Sequence, residues 1–182
     1  KDMFQNEKLL ITKNHDSSVR REILFEIQDI MDSMPIKFWL TNGTALGFRR
    51  DNDFIKWDDD IDLDTNGDDL ILLFDSMVKK FLEAGFIVRP TKRNPNPKMN
   101  LFKNMEKVSI GGFKIAGDWA NFKFYRFPKS FFQTTDKISY HGREFRVPGP
   151  IDDYLEFLYK DWKTPMNIDG DSDMYNINNI RR

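Results

Sequence analysis

Phe38-Trp39-Leu40-Thr41-Asn42-Gly43-Thr44-Ala45-Leu46-Gly47, followed through Arg49-Arg50 by Phe54-Ile55-Lys56-Trp57-Asp58-Asp59-Asp60-Ile61-Asp62-Leu63-Asp64, is the stretch whose reading decides the fold. It has three parts. The apolar run from Ile36 to Leu40 predicts a buried strand that ends in the Gly43-Thr44 turn. A short amphipathic piece with two arginines follows. A carboxylate cluster alternating with apolar residues closes the stretch. Residues two apart on a strand point to the same face. Asp60 and Asp62 are therefore expected together, with Ile61 and Leu63 anchoring the strand in the core. Neighbouring carboxylates resist ionising together unless a cation lies between them. Hard oxygen ligands beside a turn that can offer N–H groups to phosphate suit Mg²⁺ (or Mn²⁺) holding a nucleotide. A bare Asp-x-Asp is more often a solvated loop, so the weight rests on the whole arrangement.

Upstream, Asp16-Ser17-Ser18 predicts a helix cap. The helix would run to about Ser33, with Val19, Ile23, Leu24, Ile27, Ile30 and Met31 on one apolar stripe and Pro35 ending it. Residues 1–15 read as polar and irregular, and His15 and His141, far apart, read as surface or turn residues. Gly43 to Arg50 predicts a helical turn opening at Thr44. Gly43 would let the backbone approach a phosphate facing the helix N-terminus, while Thr44 either joins in that contact or simply caps the turn. The Arg50 guanidinium would pair with a diphosphate or neutralise the aspartates. Trp57 is either a packing residue or part of a nucleotide wall.

Downstream, a helix is expected over about 68–84, with Asp68 and Asp69 at its N-terminus and Gly85 closing it. Phe86 to Arg89 reads as a strand, and Pro90 to Pro97, with Lys92 and Arg93, as a loop. Strands are expected at Asn100–Lys103, Lys107–Ile110, Phe113–Ile115 and Asn121–Tyr125, with a hairpin turn at Gly111-Gly112. Another hairpin centres on His141-Gly142, and a short helix follows Pro150 as far as Tyr159. Asp169-Gly170-Asp171-Ser172-Asp173 looks like a Ca²⁺ loop, but Met174 and Ile180 stand where that loop needs Gly and Glu. The fold expected is α/β (α+β), a mixed sheet flanked by helices: one domain over 1–165, then a solvated polar tail over 166–182.

A Gly-Thr turn, a second Gly, an Arg and then alternating Asp form the layout of a nucleotidyltransferase-type site. The run Gly43-Thr44-x-Leu46-Gly47, Arg50, Phe54-Ile55-x-Trp57-Asp58-Asp59-Asp60-Ile61-Asp62 closely resembles the signature of the LicD/fukutin-related family. A second block resembles the same family's C-terminal pattern: Arg126-Phe127-Pro128-Lys129-Ser130-Phe131-Phe132, Val147-Pro148, Tyr154-Leu155, and Tyr159-x-Asp161-Trp162-x-x-Pro165. The chain departs from the pattern at Lys56, Asp53 and Lys160, where the family usually carries Pro, Gly and Gly. The resemblance implies a nucleotidyltransferase fold and Mg²⁺-dependent transfer of a phospho-alcohol (phosphocholine, or ribitol or glycerol phosphate). The donor would be CDP-activated and the acceptor a hydroxyl of a glycan or glycolipid, as in cell-surface polysaccharide modification. On this reading Asp60 and Asp62 hold metal, and Gly43, Thr44, Arg50 and Trp57 bind the nucleotide. Such enzymes usually add a third carboxylate from a later strand. Asp118 is the best placed candidate, though Gly117-Asp118 also reads as a turn. The site would lie in the cytoplasm of a bacterium or the secretory lumen of a eukaryote.

The chain's 182 residues are enough for one domain with a real core. A net charge of −1 gives no electrostatic case for a nucleic-acid partner. The absence of cysteine excludes disulfides and Cys metal sites. No apolar run approaches a membrane span, and no signal peptide is visible. The first residue is Lys, so an upstream segment would not be in this sequence. Two other functions fit the residues: a nucleotidyltransferase moving NMP from an NTP to a small molecule, protein or RNA, and a non-catalytic cation- or carbohydrate-binding module.

Overall fold

Strand propensity, turn chemistry and helix caps give fifteen elements among the described residues, 15–91, 96–165 and 175–181, of a computed structural model. In order they are α1 (Ser17–Asp32), β1 (Phe38–Leu40), α2 (Asn42–Arg50), β2 (Ile61–Asn66), α3 (Gly67–Glu83), β3 (Ile87–Thr91), β4 (Lys98–Lys103) and β5 (Glu106–Ala116). Then come β6 (Trp119–Asn121), β7 (Arg126–Pro128), α4 (Ser130–Gln133), β8 (Thr135–Tyr140), β9 (Arg143–Pro148), α5 (Ile151–Leu158) and α6 (Ile177–Ile180). The first helix is capped as expected: the Asp16 carboxylate accepts from the Ser18 N–H at 2.8 Å. Asn66 caps α3 in the same way, and Gly85, at φ +81°, follows its last turn.

The main sheet runs in the order β1-β2-β5-β4-β3, with β6 and β7 extending it from β5. Strands β2 and β5 are parallel, and every other pair is antiparallel. The sheet is mixed and flanked by helices, as expected. Alternation along each strand sorts two sets of side chains. Phe38 and Leu40, Ile61 and Leu63, Val108 and Ile110, and Met99 and Leu101 are buried in a core with α1 and α3. Each such side chain contributes roughly 1.5–3 kcal/mol by leaving water. Trp39, one residue out of step with Phe38 and Leu40, joins a second cluster with Phe113, Phe127, Phe132, Tyr154 and Leu158. That cluster seals β6, β7, α4 and α5 over the sheet's other face.

The fold departs from the sequence expectations at several places. Gly111 and Gly112 do not turn a hairpin but lie in the middle of β5, one continuous strand of 11 residues. Glycine is needed there for close approach. A Cβ on Gly112 would collide with the Pro97 ring, and one on Gly111 with the Asp64 carboxylate. Phe122 to Tyr125 form the connection between β6 and β7 instead of a strand. Near the end of the chain, Ile180 is buried in the second cluster and Tyr159 stacks on Tyr175, so part of the expected tail touches the domain. The His15 side chain is turned inward to Glu106 and only 7% exposed. Lys92, Arg93 and the run from Asp169 to Asp173 lie outside the described residues.

Candidate active site

Strand β2 is the spine of the site. Its Ile61, Leu63 and Thr65 face the first core, so Asp62 and Asp64 face the other way, with Asp60 just before the strand. On the parallel neighbour β5, Ser109 stands across from Asp62 and Gly111 across from Asp64. The Ser109 hydroxyl donates to Asp60 Oδ2 at 2.8 Å, and the Lys107 ammonium pairs with the same oxygen at 2.9 Å. Lys98 of β4, across from Gly111, brings a second ammonium charge to bear on Asp62 and Asp64.

The acid loop before β2 is held from behind by α1. The Arg20 guanidinium, 1% exposed, donates to Glu106 Oε2 at 2.8 Å and to the Asp58 carbonyl at 2.7 Å. His15 Nδ1 lies 2.8 Å from that same Glu106 oxygen. A buried pair of this kind gains most of its value from position, because desolvation offsets much of the attraction. Here the position it fixes is the Asp58 backbone.

Oxygens of Asp58, Asp59 and Asp60 lie within 4.8 Å of one another. Burial first, then the charge of Asp60, pushes the Asp58 carboxyl up to about 7, against the pull of Arg20. Asp62 is raised well above the usual carboxylate range by burial and by the charges of Asp60, Asp58 and Asp64. Burial also lifts Asp64 to about 7, with Thr41 and Lys98 opposing. Lys107 is half-buried, which disfavours its charge, but Asp60, Asp59 and Asp62 outweigh that and raise its pKa. These are crowded, desolvated, hard-oxygen groups with too little positive charge among them. That donor set fits a divalent cation such as Mg²⁺ or Mn²⁺.

Helix α2 begins at Asn42, two residues before the expected Thr44, and its N-cap Thr41 makes no side-chain capping bond. Gly43 is in the first turn, and the Asp58 carboxylate occupies the space where a Cβ would stand. Glycine is thus required for the acid loop to close onto the helix. Thr44, expected either at a phosphate or as a cap, makes a further contact. Its buried Oγ1 accepts the Asp62 N–H at 2.9 Å, tying α2 to β2.

Arg50, Trp57 and Asp118 lie off the acid row. Arg50 is about 10 Å along the helix axis from Gly43, bonded to Asp51 at 2.8 Å and to the Trp162 carbonyl. Trp57 is on the acid loop and 44% exposed. Asp118 is in the turn between β5 and β6, its side chain 92% exposed and paired with Lys129 at 3.1 Å. Gly117, at φ +59°, turns the chain there, about 23 Å of extended strand beyond Ser109. What sequence reasoning left unassigned is Asp64, although the alternation Asp60-Ile61-Asp62-Leu63-Asp64 carried the signal. Arg20, Lys98, Lys107 and Ser109 gave no local signal, because only the fold brings them to the acids.

Beside Asp64 opens a cavity of about 1000 Å³ whose walls include Asn42, Phe122, Tyr125, Phe127 and Arg181. The Asn42 N–H at its edge donates to the Tyr154 hydroxyl at 3.2 Å. No helix of the described residues is long and apolar enough to cross a membrane.

Comparison with known proteins agrees with this fold. The antibiotic-resistance factor ANT(2'')-Ia superposes with a TM-score of 0.54 at 16% identity, covering 78% of this chain and 73% of that one. A candidate nucleotidyltransferase of Thermotoga maritima superposes at 0.51 and 16%, covering 79% and 86%. The complex of ANT(2'')-Ia with adenylyl-2''-tobramycin gives 0.51 and 16%, covering 76% of each chain. At such identity these likenesses establish the nucleotidyltransferase fold. The search of curated proteins gave no significant match. The profile of the LicD/FKTN/FKRP nucleotidyltransferase domain matches residues 35–150, from the first strand through the acid row to the end of β9, and the chain belongs to that family.

Proposed function

We propose that this transferase moves a phospho-alcohol from a CDP-activated donor to a hydroxyl of a glycan. The observation that carries the reading is the acid row Asp60, Asp62 and Asp64, set on one face beside the head of α2 and opening onto a cavity. The acceptor oxygen would attack the phosphorus that bears the alcohol, the bond from that phosphorus to the bridging oxygen would break, and CMP would leave. Asp58, Asp59, Asp60 and Asp62 would hold the divalent cation. When bound, that ion supplies Lewis-acid charge to the diphosphate. Asp64 is the carboxylate that lines the cavity, and it would accept the hydroxyl proton. Lys107 and Lys98 add fixed positive charge beside the row, while Arg20 and Thr44 keep loop and strand in register.

A second reading, transfer of NMP from an NTP, is favoured by the adenylylated product in the ANT(2'')-Ia complex. Thermal shift separates the two. The protein is heated with Mg²⁺ or Mn²⁺ and, in turn, CDP-choline, CDP-ribitol, CDP-glycerol, CTP, ATP and UTP. A ligand that binds only the native state raises the melting temperature by mass action. A metal-dependent shift with one CDP-alcohol, lost in Asp62→Asn and accompanied by CMP release, supports the proposal. A shift with NTPs alone, and nucleotide mass on the acceptor, overturns it in favour of nucleotidyl transfer. A metal shift with no nucleotide response points to a binding module.

A further inference from the structure

We propose that the cavity beside Asp64 seats the nucleobase of the donor, with Phe122 and Tyr125 as the rings on which it stacks. The inference rests on the nucleotide-donor reading above and adds where the base goes. Phe122 and Asp64 line the same cavity on either side of Gly111. The Phe122 ring edge lies 4.0 Å from the point where Gly111 would carry a Cβ, and Asp64 Oδ1 lies 2.5 Å from that same point. A ligand stacked on this ring thus has its other end at the carboxylates. The ring is also held in place, packed edge-on against Phe127 at 5.6 Å and tilted against Phe113 at 5.7 Å. A preorganised face costs little to bind against.

The connection between β6 and β7 then presents two aromatic side chains to solvent, Phe124 at 62% and Tyr125 at 51% exposed. Folding gains nothing from such exposure, and adjacent exposed rings beside a cavity mark a binding surface. The connection is not loose: Tyr125 forms a backbone bridge with Arg181, which brings a guanidinium to the cavity beside Lys123. Lys123 and Arg181 among the lining residues complement the negative charge of a nucleotide. Phe127, Leu158 and Ile180 add apolar wall that suits the flat face of a base, while Asn42, Asp64 and Tyr175 offer polar partners to its edge or to the ribose.

The test is calorimetric titration with Mn²⁺ present, comparing CDP with inorganic pyrophosphate, in wild type, Tyr125→Ala and Phe122→Leu. Tyr125 is exposed and Phe122→Leu keeps an apolar side chain, and equal melting temperatures verify that the variants fold. The expected result is CDP binding about ten-fold or more weaker in each variant, the scale of losing a base–aromatic stack, with pyrophosphate affinity changed less than about two-fold. CDP affinity equal to wild type in both variants would place the base elsewhere and overturn the assignment while leaving the donor reading standing. No binding of CDP by the wild type would overturn the donor reading itself, and this inference with it.

Discussion

Ile61 and Leu63 on one face of β2 are at most 1% exposed and pack among apolar side chains, while Asp62 and Asp64 on the other crowd against like charge. The faces differ by one residue of register, yet one contributes stability and the other withholds it. Burying Ile61 and Leu63 is what drives β2 into the sheet. Holding Asp62 and Asp64 there is a cost the site bears, because desolvation and mutual repulsion both disfavour their charged forms. Rigidity for the carboxylates thus comes from hydrocarbon on the reverse side of the same strand.

Substitutions on each face should separate the two contributions. Asp62→Asn is expected to lower turnover by about a thousandfold or more, the loss of a transition-state contact, while the melting temperature stays equal or rises. A large fall in melting temperature would mean the carboxylate is structural. Leu63→Ala should do the reverse, costing about 2–5 kcal/mol in urea unfolding, with activity per folded molecule largely kept. Between these, Gly111→Ala tests the register itself. Its methyl would push on the Asp64 carboxylate, and a displacement near 1 Å predicts about a hundredfold loss of turnover at little cost in stability.

A gentler probe is pH. Asp58 and Asp64 titrate near 7 in the native protein, and Asp62 is raised as well. The unfolded chain releases these protons near pH 4. Between about 4 and 7 the native state therefore holds more protons than the unfolded one, and stability falls as pH rises through that window. In EDTA the melting temperature should be higher at pH 5 than at pH 8, and Asp64→Asn should narrow the difference. A flat or rising profile would contradict the burial of these carboxylates. The smallest effect is expected at the other acid singled out from the sequence: Asp118→Asn, in an exposed turn, should alter stability by no more than about 0.5 kcal/mol and leave turnover unchanged.

Asp62 and Asp118 also mark how far the sequence could be read. Around Asp62 the information is local: apolar residues at every second position specify a strand, and the strand specifies which carboxylates share a face. The same rule continues through Asp64, whose side chain shares the face of Asp62. Around Asp118 the local pattern was equally compatible with a strand entry and a turn, and Gly117 chose the turn. Gly111-Gly112 failed for a related reason. Paired glycines usually signal a hairpin, but here each one clears space for a neighbour that arrives from a distant part of the chain, Asp64 in one case and Pro97 in the other.

Helix caps, the alternation of β2, the hairpin at His141-Gly142 and the family signature all follow from interactions within a few residues, so the order of residues alone was enough for them. The partners of the acid row follow from contacts across long stretches of chain. Arg20 comes from α1 to hold the Asp58 carbonyl, Lys107 comes from β5 to pair with Asp60, and Phe122 comes from beyond β6 to stand beside Asp64. Arg50, at the far end of the same short helix as Thr44, bonds instead to Asp51 and the Trp162 carbonyl. Side-chain charge and shape are written in the sequence, but which of them meet is set by the packing of the two apolar clusters, since burying those clusters dominates the free energy of the fold.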